Sequence, residues 1–130
     1  MGAISSVSIS RDLLQTIFVS ARQLHPRETI LLLRGEKNKN SVEITELVVP
    51  PLATYGRGFA QIRLHMLPID FSIIGTVHSH PSGNLTPSVA DLNHSIGKIL
   101  IIVSFPFANE GNVAVYNRDG EKIALKTTSA

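Results

Sequence analysis

The chain has 130 residues, 43% hydrophobic and 17% charged, with a formal net charge of +2. That length fits one domain over residues 1–130 and lets folding bury roughly two-thirds of the unfolded surface, so an aliphatic core is expected and disorder is excluded. Cysteine is absent, which excludes disulfides, cysteine nucleophiles and thiolate metal sites, and no dense basic patch of the kind that tracks phosphates is present.

Taken in chain order, Val7 to Ile9 alternates weakly and reads as a short edge strand. Ser10 is an N-cap for a helix whose apolar face is Leu13, Leu14, Ile17, Phe18, Ala21 and Leu24. Pro26 stops it, and His25 reads as a surface residue at its end. Glu28 opens the next run, and Ile30 to Leu33 is a buried strand. Residues 35–40 are turn-like, and Arg34, Lys37 and Lys39 cluster there among Asn38 and Asn40 as a solvated hairpin turn. Val42 to Val49 is the antiparallel partner, residues 51–58 form a loop, and Phe59, Ile62, Leu64 and Met66 suggest a further strand. Phe71 to Val77 runs as a strand into His78. Thr86-Pro87 predicts a helix start, with Leu92, Ile96 and Ile99 as its apolar stripe. Leu100 to Phe105 is a buried strand, and Val113 to Leu125 a hairpin turning at Asp119-Gly120. The fold class is therefore α+β: one domain, with a mixed, mostly antiparallel central sheet flanked by two helices. No apolar stretch approaches the roughly 20 residues of a membrane span, and the N-terminus lacks a secretory pattern, so cytoplasmic residence is expected. Met1-Gly2 with Ser6 fits only a loose myristoylation pattern that is common by chance.

The chemistry concentrates between His78 and Asp91. Residues two apart on a strand point to one side, so His78 and His80 present their imidazoles together while Ser79 points away. Asp91, in the first turn or so of the following helix, can come back over them. Two nitrogens and a carboxylate fill three tetrahedral positions and leave one for water, the mark of a catalytic zinc site. Glu28, at the mouth of an apolar strand, is the candidate general base, and Ser88 is the candidate oxyanion donor. Spacing alone leaves blander readings open. A lone strand histidine is ordinarily a hydrogen-bonded core residue, and Ser88 and Asp91 also fit a helix-capping pair. Glu28 by itself also reads as a surface carboxylate, and His65 and His94 read as structural.

The run His78-Ser79-His80-Pro81, seven residues from Pro81 to Pro87, then Ser88-Val89-Ala90-Asp91, resembles the signature of the JAMM/MPN-plus (Mov34/PAD-1-like) zinc metalloproteases. Glu28 to Gly35 resembles the upstream family segment, with Leu31 where a glycine often stands. The resemblance spans about Arg11 to Leu125. It implies a JAB1/MPN-like, cytidine-deaminase-like fold and one catalytic zinc on His78, His80 and Asp91. It also implies Glu28 as base, Ser88 as oxyanion donor, and isopeptide hydrolysis on ubiquitin-like protein modifiers and their conjugates, as in small stand-alone prokaryotic members. A modifier tail would lie along a strand edge. No nucleic acid or membrane partner is expected, and a homodimer is left open. Two alternatives are a non-catalytic MPN scaffold, which lacks some motif residues, and a RadC-like DNA-associated domain, for whose extra helical region there is no room before Arg11. Sulfur-carrier protein tails are an alternative substrate for the same chemistry.

Overall fold

A computed structural model of the chain describes residues 3–49, 54–56, 59–61, 72–93 and 97–129. The elements in order are β1 (Ser6–Ser10), α1 (Arg11–Leu24), β2 (Ile30–Asn38), β3 (Ser41–Val48), β4 (Thr54–Gly56), β5 (Phe59–Gln61), β6 (Ile73–His80), α2 (Val89–Asn93), β7 (Ile99–Ser104), β8 (Val113–Asn117) and β9 (Lys122–Thr128). A 3-10 turn, Glu110–Asn112, precedes β8.

The main sheet runs β1-β3-β2-β6-β7-β8-β9 and closes on itself through a parallel β1–β9 ladder. It is mixed, with parallel β1–β3, β1–β9 and β6–β7 pairs and antiparallel pairs elsewhere, as the α+β expectation requires. Closure corrects the reading of Val7 to Ile9 as an edge. β1 lies between β3 and β9, and Val7 and Ile9 are each 1% exposed. Its serines suggested an edge because they alternate with only two apolar residues. A partner more than a hundred residues away along the chain leaves no local signal.

Ser10 caps α1 as expected, its hydroxyl accepting from the Leu13 N–H at 3.1 Å. Leu14, Ile17, Phe18 and Ala21 are the helix face that packs on the sheet. The sheet is two-faced there. Leu31, Leu33, Val77, Ile101 and Val103 join the α1 core, while Ile30, Leu32, His78, Leu100 and Ile102 alternate with them and are buried on the other face.

Three other expectations are corrected. β2 continues to Asn38 through an irregularity at Arg34/Gly35, so the turn expected over 35–40 shrinks to Lys39-Asn40, with Lys39 at φ 57°. Residues 54–56, expected as loop, are β4 and pair with β5. Ile62, Leu64, Met66, His65 and His94 lie outside the described residues. Helix α2 starts not at Thr86-Pro87 but after Ser88. The Thr86 N–H is taken by the Asn84 side chain at 2.9 Å, and Leu92 N–H donates to the Ser88 carbonyl at 3.1 Å. Ile99, expected on that helix, is the first residue of β7 and is buried, while Leu92 is 37% exposed. The expected turn at Asp119-Gly120 is present, with Gly120 at φ 81°, a conformation that glycine adopts without a steric penalty.

Candidate metal centre

His78 and His80 end β6. Ile30 stands opposite His78 in the β2–β6 ladder, and Ser79 N–H donates to the Thr29 carbonyl at 3.1 Å. Continuing that register one residue brings Glu28 across from His80, on the face that the imidazoles share. Behind them, Thr29 donates both its N–H (2.7 Å) and its hydroxyl (3.0 Å) to the Ser79 hydroxyl oxygen. Ser79 thus points away from the histidines, as its alternation predicted, and ties the segment bearing Glu28 to the strand bearing the histidines.

Asp91 enters from α2. Its Oδ2 lies 2.9 Å from His80 Nε2 and accepts from the Ser88 N–H at 2.8 Å, and its Oδ1 lies 3.5 Å from His78 Nδ1. The Ser88 hydroxyl accepts from the Asp91 N–H at 3.0 Å, so the two residues form a reciprocal cap. The cap is what aims the carboxylate. Asp91, only 7% exposed, is held as the third residue of its helix, facing the histidine pair.

The donor set fits a divalent metal. One ligand atom each from Glu28, His80 and Asp91 fall within 4.8 Å of one another, and His78, 2% exposed, adjoins Asp91. Tetrahedral zinc with bonds of about 2.0–2.2 Å sets its donors about 3.3–3.6 Å apart. Asp91 Oδ1 lies 3.5 Å from His78 Nδ1 and Asp91 Oδ2 lies 2.9 Å from His80 Nε2, so the carboxylate faces both rings at close to that spacing, with a different oxygen toward each. The residues expected from the sequence, His78, His80, Asp91, Glu28 and Ser88, thus converge on one end of the sheet.

The electrostatics follow from this packing. Burial pushes the Glu28 carboxyl above the usual range; the His80 charge opposes that and Asp91 adds to it. Burial also pushes Asp91 up, but the bonds from His80 and the Ser88 N–H and the nearby His78 outweigh it and bring the carboxyl down to about 2. The Asp91 hydrogen bond raises His80, whose other nitrogen, Nδ1, faces the Asn84 carbonyl at 2.8 Å. With an oxygen acceptor at each nitrogen, the metal-free geometry favours the doubly protonated ring. A ligating imidazole must be neutral at the donor nitrogen. The Asp91 hydrogen bond raises the His80 pKa, so protons compete with the metal over the range in which the ring titrates: lowering the pH there weakens metal binding, and metal uptake there releases a proton. Titration calorimetry in buffers of different ionisation enthalpy checks this: the binding enthalpy is expected to vary with the buffer, and a buffer-independent enthalpy contradicts it.

The sequence reading did not assign Ser79, Thr29 or Asn84 a part in the site. Asn84 acts through its backbone carbonyl, to which residue identity gives no clue. Ser79 and Thr29 do carry a signal, since adjacent elements each place a small polar residue where the face is otherwise buried and apolar. His25 is exposed, as expected, but it also stacks on Phe105 with ring centroids 4.6 Å apart.

A mixed sheet with a His-x-His strand end, a capped Asp on the next helix and a buried Glu facing both is the arrangement of the JAMM-type metalloprotease family. The chain belongs to the prokaryotic homologs of the JAB domain, the Prok-JAB family, whose model matches residues 10–118. It is 31% identical over 122 residues to a "Probable metalloprotease" of Haloferax volcanii, covering 88% of this chain and 75% of that one. Among solved structures it is similar to one described as "JAMM: A Metalloprotease-like Zinc Site in the Proteasome and Signalosome", at TM-score 0.67 and 33% identity over 97% of this chain and 99% of the other. A JAB1/MPN domain protein from Archaeoglobus fulgidus matches at TM-score 0.68 and 38% identity, over 93% and 98%. A protein from Desulfitobacterium hafniense shares the fold at TM-score 0.69 and 14% identity, over 95% and 94%. No described helix is long and apolar enough to cross a membrane.

Proposed function

We propose that this chain is a zinc-dependent isopeptidase that hydrolyses the amide between the C-terminus of a ubiquitin-like modifier and an amine of its target. The observation that carries the reading is the buried Glu28 carboxylate clustered with the donor atoms of His80 and Asp91. His78, His80 and Asp91 would hold the zinc, which supplies Lewis acidity for the scissile carbonyl and the water when bound.

The residues of the chain divide the remaining work. Glu28, its proton affinity raised by burial, takes a proton from the attacking water and delivers it to the leaving amine. The Ser88 oxygen accepts from the Asp91 N–H, a bond that does not use its hydroxyl hydrogen, so the exposed Ser88 can donate to the oxyanion that develops. Capping and oxyanion donation are therefore compatible in one side chain. The extended tail of a modifier suits strand pairing. Thr45–Val48 of β3 lie beyond the β1 ladder, which ends at Glu43.

Ser88→Ala is expected to lower turnover by about 100-fold or more, the scale of one lost oxyanion donor. The lost cap adds a destabilisation of about 1 kcal/mol. Turnover equal to the unaltered protein at a lowered unfolding midpoint assigns Ser88 to capping alone. The function itself is tested by incubating the zinc-loaded protein with modifier conjugates, with and without a chelator. Cleavage that stops with chelator and returns with zinc is expected. A chain that holds zinc yet cleaves no conjugate argues against isopeptidase action, and one that takes up no zinc favours the scaffold reading.

A further inference from the structure

The loop from Pro81 to Pro87 carries no regular structure, yet it joins the histidine strand to the Asp91 helix. Its shape therefore decides where Asn84 holds His80. One side chain from a distant strand grips it. Tyr116, in β8 opposite Leu100 of β7, donates its hydroxyl to the Leu85 carbonyl at 2.9 Å. Leu85 follows Asn84, whose carbonyl lies 2.8 Å from His80 Nδ1. The two carbonyls belong to consecutive residues, so fixing one restricts the rotation that would carry off the other. Burial raises the Tyr116 phenol, which keeps its proton available to donate. The ring is half-buried, so its place is set by packing.

We propose that Tyr116 is a positioning residue of the metal centre: it pins the Leu85 carbonyl so that the Asn84 carbonyl orients His80 Nε2 toward Asp91 and the metal. This rests on the metal-binding reading of the site, but not on the identity of the substrate. A ligating histidine is commonly oriented by an acceptor at its other nitrogen, and loss of such a partner costs roughly 10–100-fold in metal affinity. Tyr116 acts one bond further out, so a smaller effect follows.

Tyr116→Phe removes one oxygen and keeps the ring. Zinc affinity, measured by competition with a chromophoric chelator, is expected to fall about 3- to 10-fold, at or below the foot of that range. The metal-free unfolding midpoint is expected to fall by no more than about 5 °C, the scale on which one lost hydrogen bond moves a domain of this size. Imidazole 15N shifts of His80 give a readout that a merely structural role would not move: the metal-free variant is expected to lose the bonded Nδ1–H signature. A zinc affinity changed by less than about 3-fold, or unaltered His80 shifts, overturns the proposal. Unaltered protein that takes up no zinc sinks the metal-site reading instead, and is recorded in the same titration before any variant is made.

Discussion

Glu28→Gln is expected to keep zinc binding within a few-fold of the unaltered protein and to lower amide hydrolysis by about 10²–10⁴-fold, the range of a positioned acid–base group. The reason is geometric. Glu28 lies across from His80, in register with the β2–β6 ladder, and the residue as a whole is 9% exposed. Glutamine keeps the shape and can still hydrogen bond there, but it cannot take a proton from water and pass it on. Burial raises the Glu28 carboxyl, the direction expected of a group that accepts a proton from water. Zinc content by atomic emission and single-turnover cleavage of a conjugate measure the two halves of the prediction separately. Retained turnover removes Glu28 as the base. Loss of zinc along with turnover makes Glu28 a ligand, a role its place in the 4.8 Å cluster with His80 and Asp91 also permits.

Asp91→Ala is expected to abolish hydrolysis by a different route, through loss of the metal. The carboxylate faces His80 Nε2 at 2.9 Å and His78 Nδ1 at 3.5 Å, so its removal would open one of the three proposed ligand positions. Zinc affinity is expected to fall by more than the roughly 10–100-fold that loss of an outer partner costs. The metal-free protein also loses the acceptor for the Ser88 N–H, half of the reciprocal cap, at about 1 kcal/mol. Asp91→Asn separates the two effects, because its amide oxygen can keep the cap while the ligand charge is gone. Equilibrium zinc competition and urea unfolding of both variants are the measurements. Full zinc uptake by Asp91→Ala would remove Asp91 from the ligand set.

The apo-protein geometry also explains why metal and protons compete here. Asp91 is brought down to about 2 while His80 is raised, so as the pH falls protons reach the imidazole before the carboxylate. The His80 ring nitrogen and the Ser88 N–H both lie within hydrogen-bond distance of the buried Asp91 carboxylate, so it is not left without partners.

Much of the centre was legible in the chain itself, because its decisive relations are short. Alternation along a strand turns His78 and His80 to one side and Ser79 to the other, and backbone geometry alone guarantees it. A Ser-x-x-Asp pair at a helix start is likewise local, and so are the Ser10 cap and the apolar face of α1. The tertiary structure decided what depends on residues distant in sequence. The register of β2 on β6 carries Glu28 to His80, pairing with β9 turns β1 from an edge into an interior strand, and Tyr116 reaches the Leu85 carbonyl from another hairpin. Each of these is fixed by burial and hydrogen bonding between segments whose separate patterns allow several registers. The start of α2 at Ser88 falls between the two kinds. Thr86-Pro87 is a sound local start signal, but the Asn84 side chain takes the Thr86 N–H, and the Ser88–Asp91 cap, with its carboxylate drawn to His80, holds the helix two residues further on.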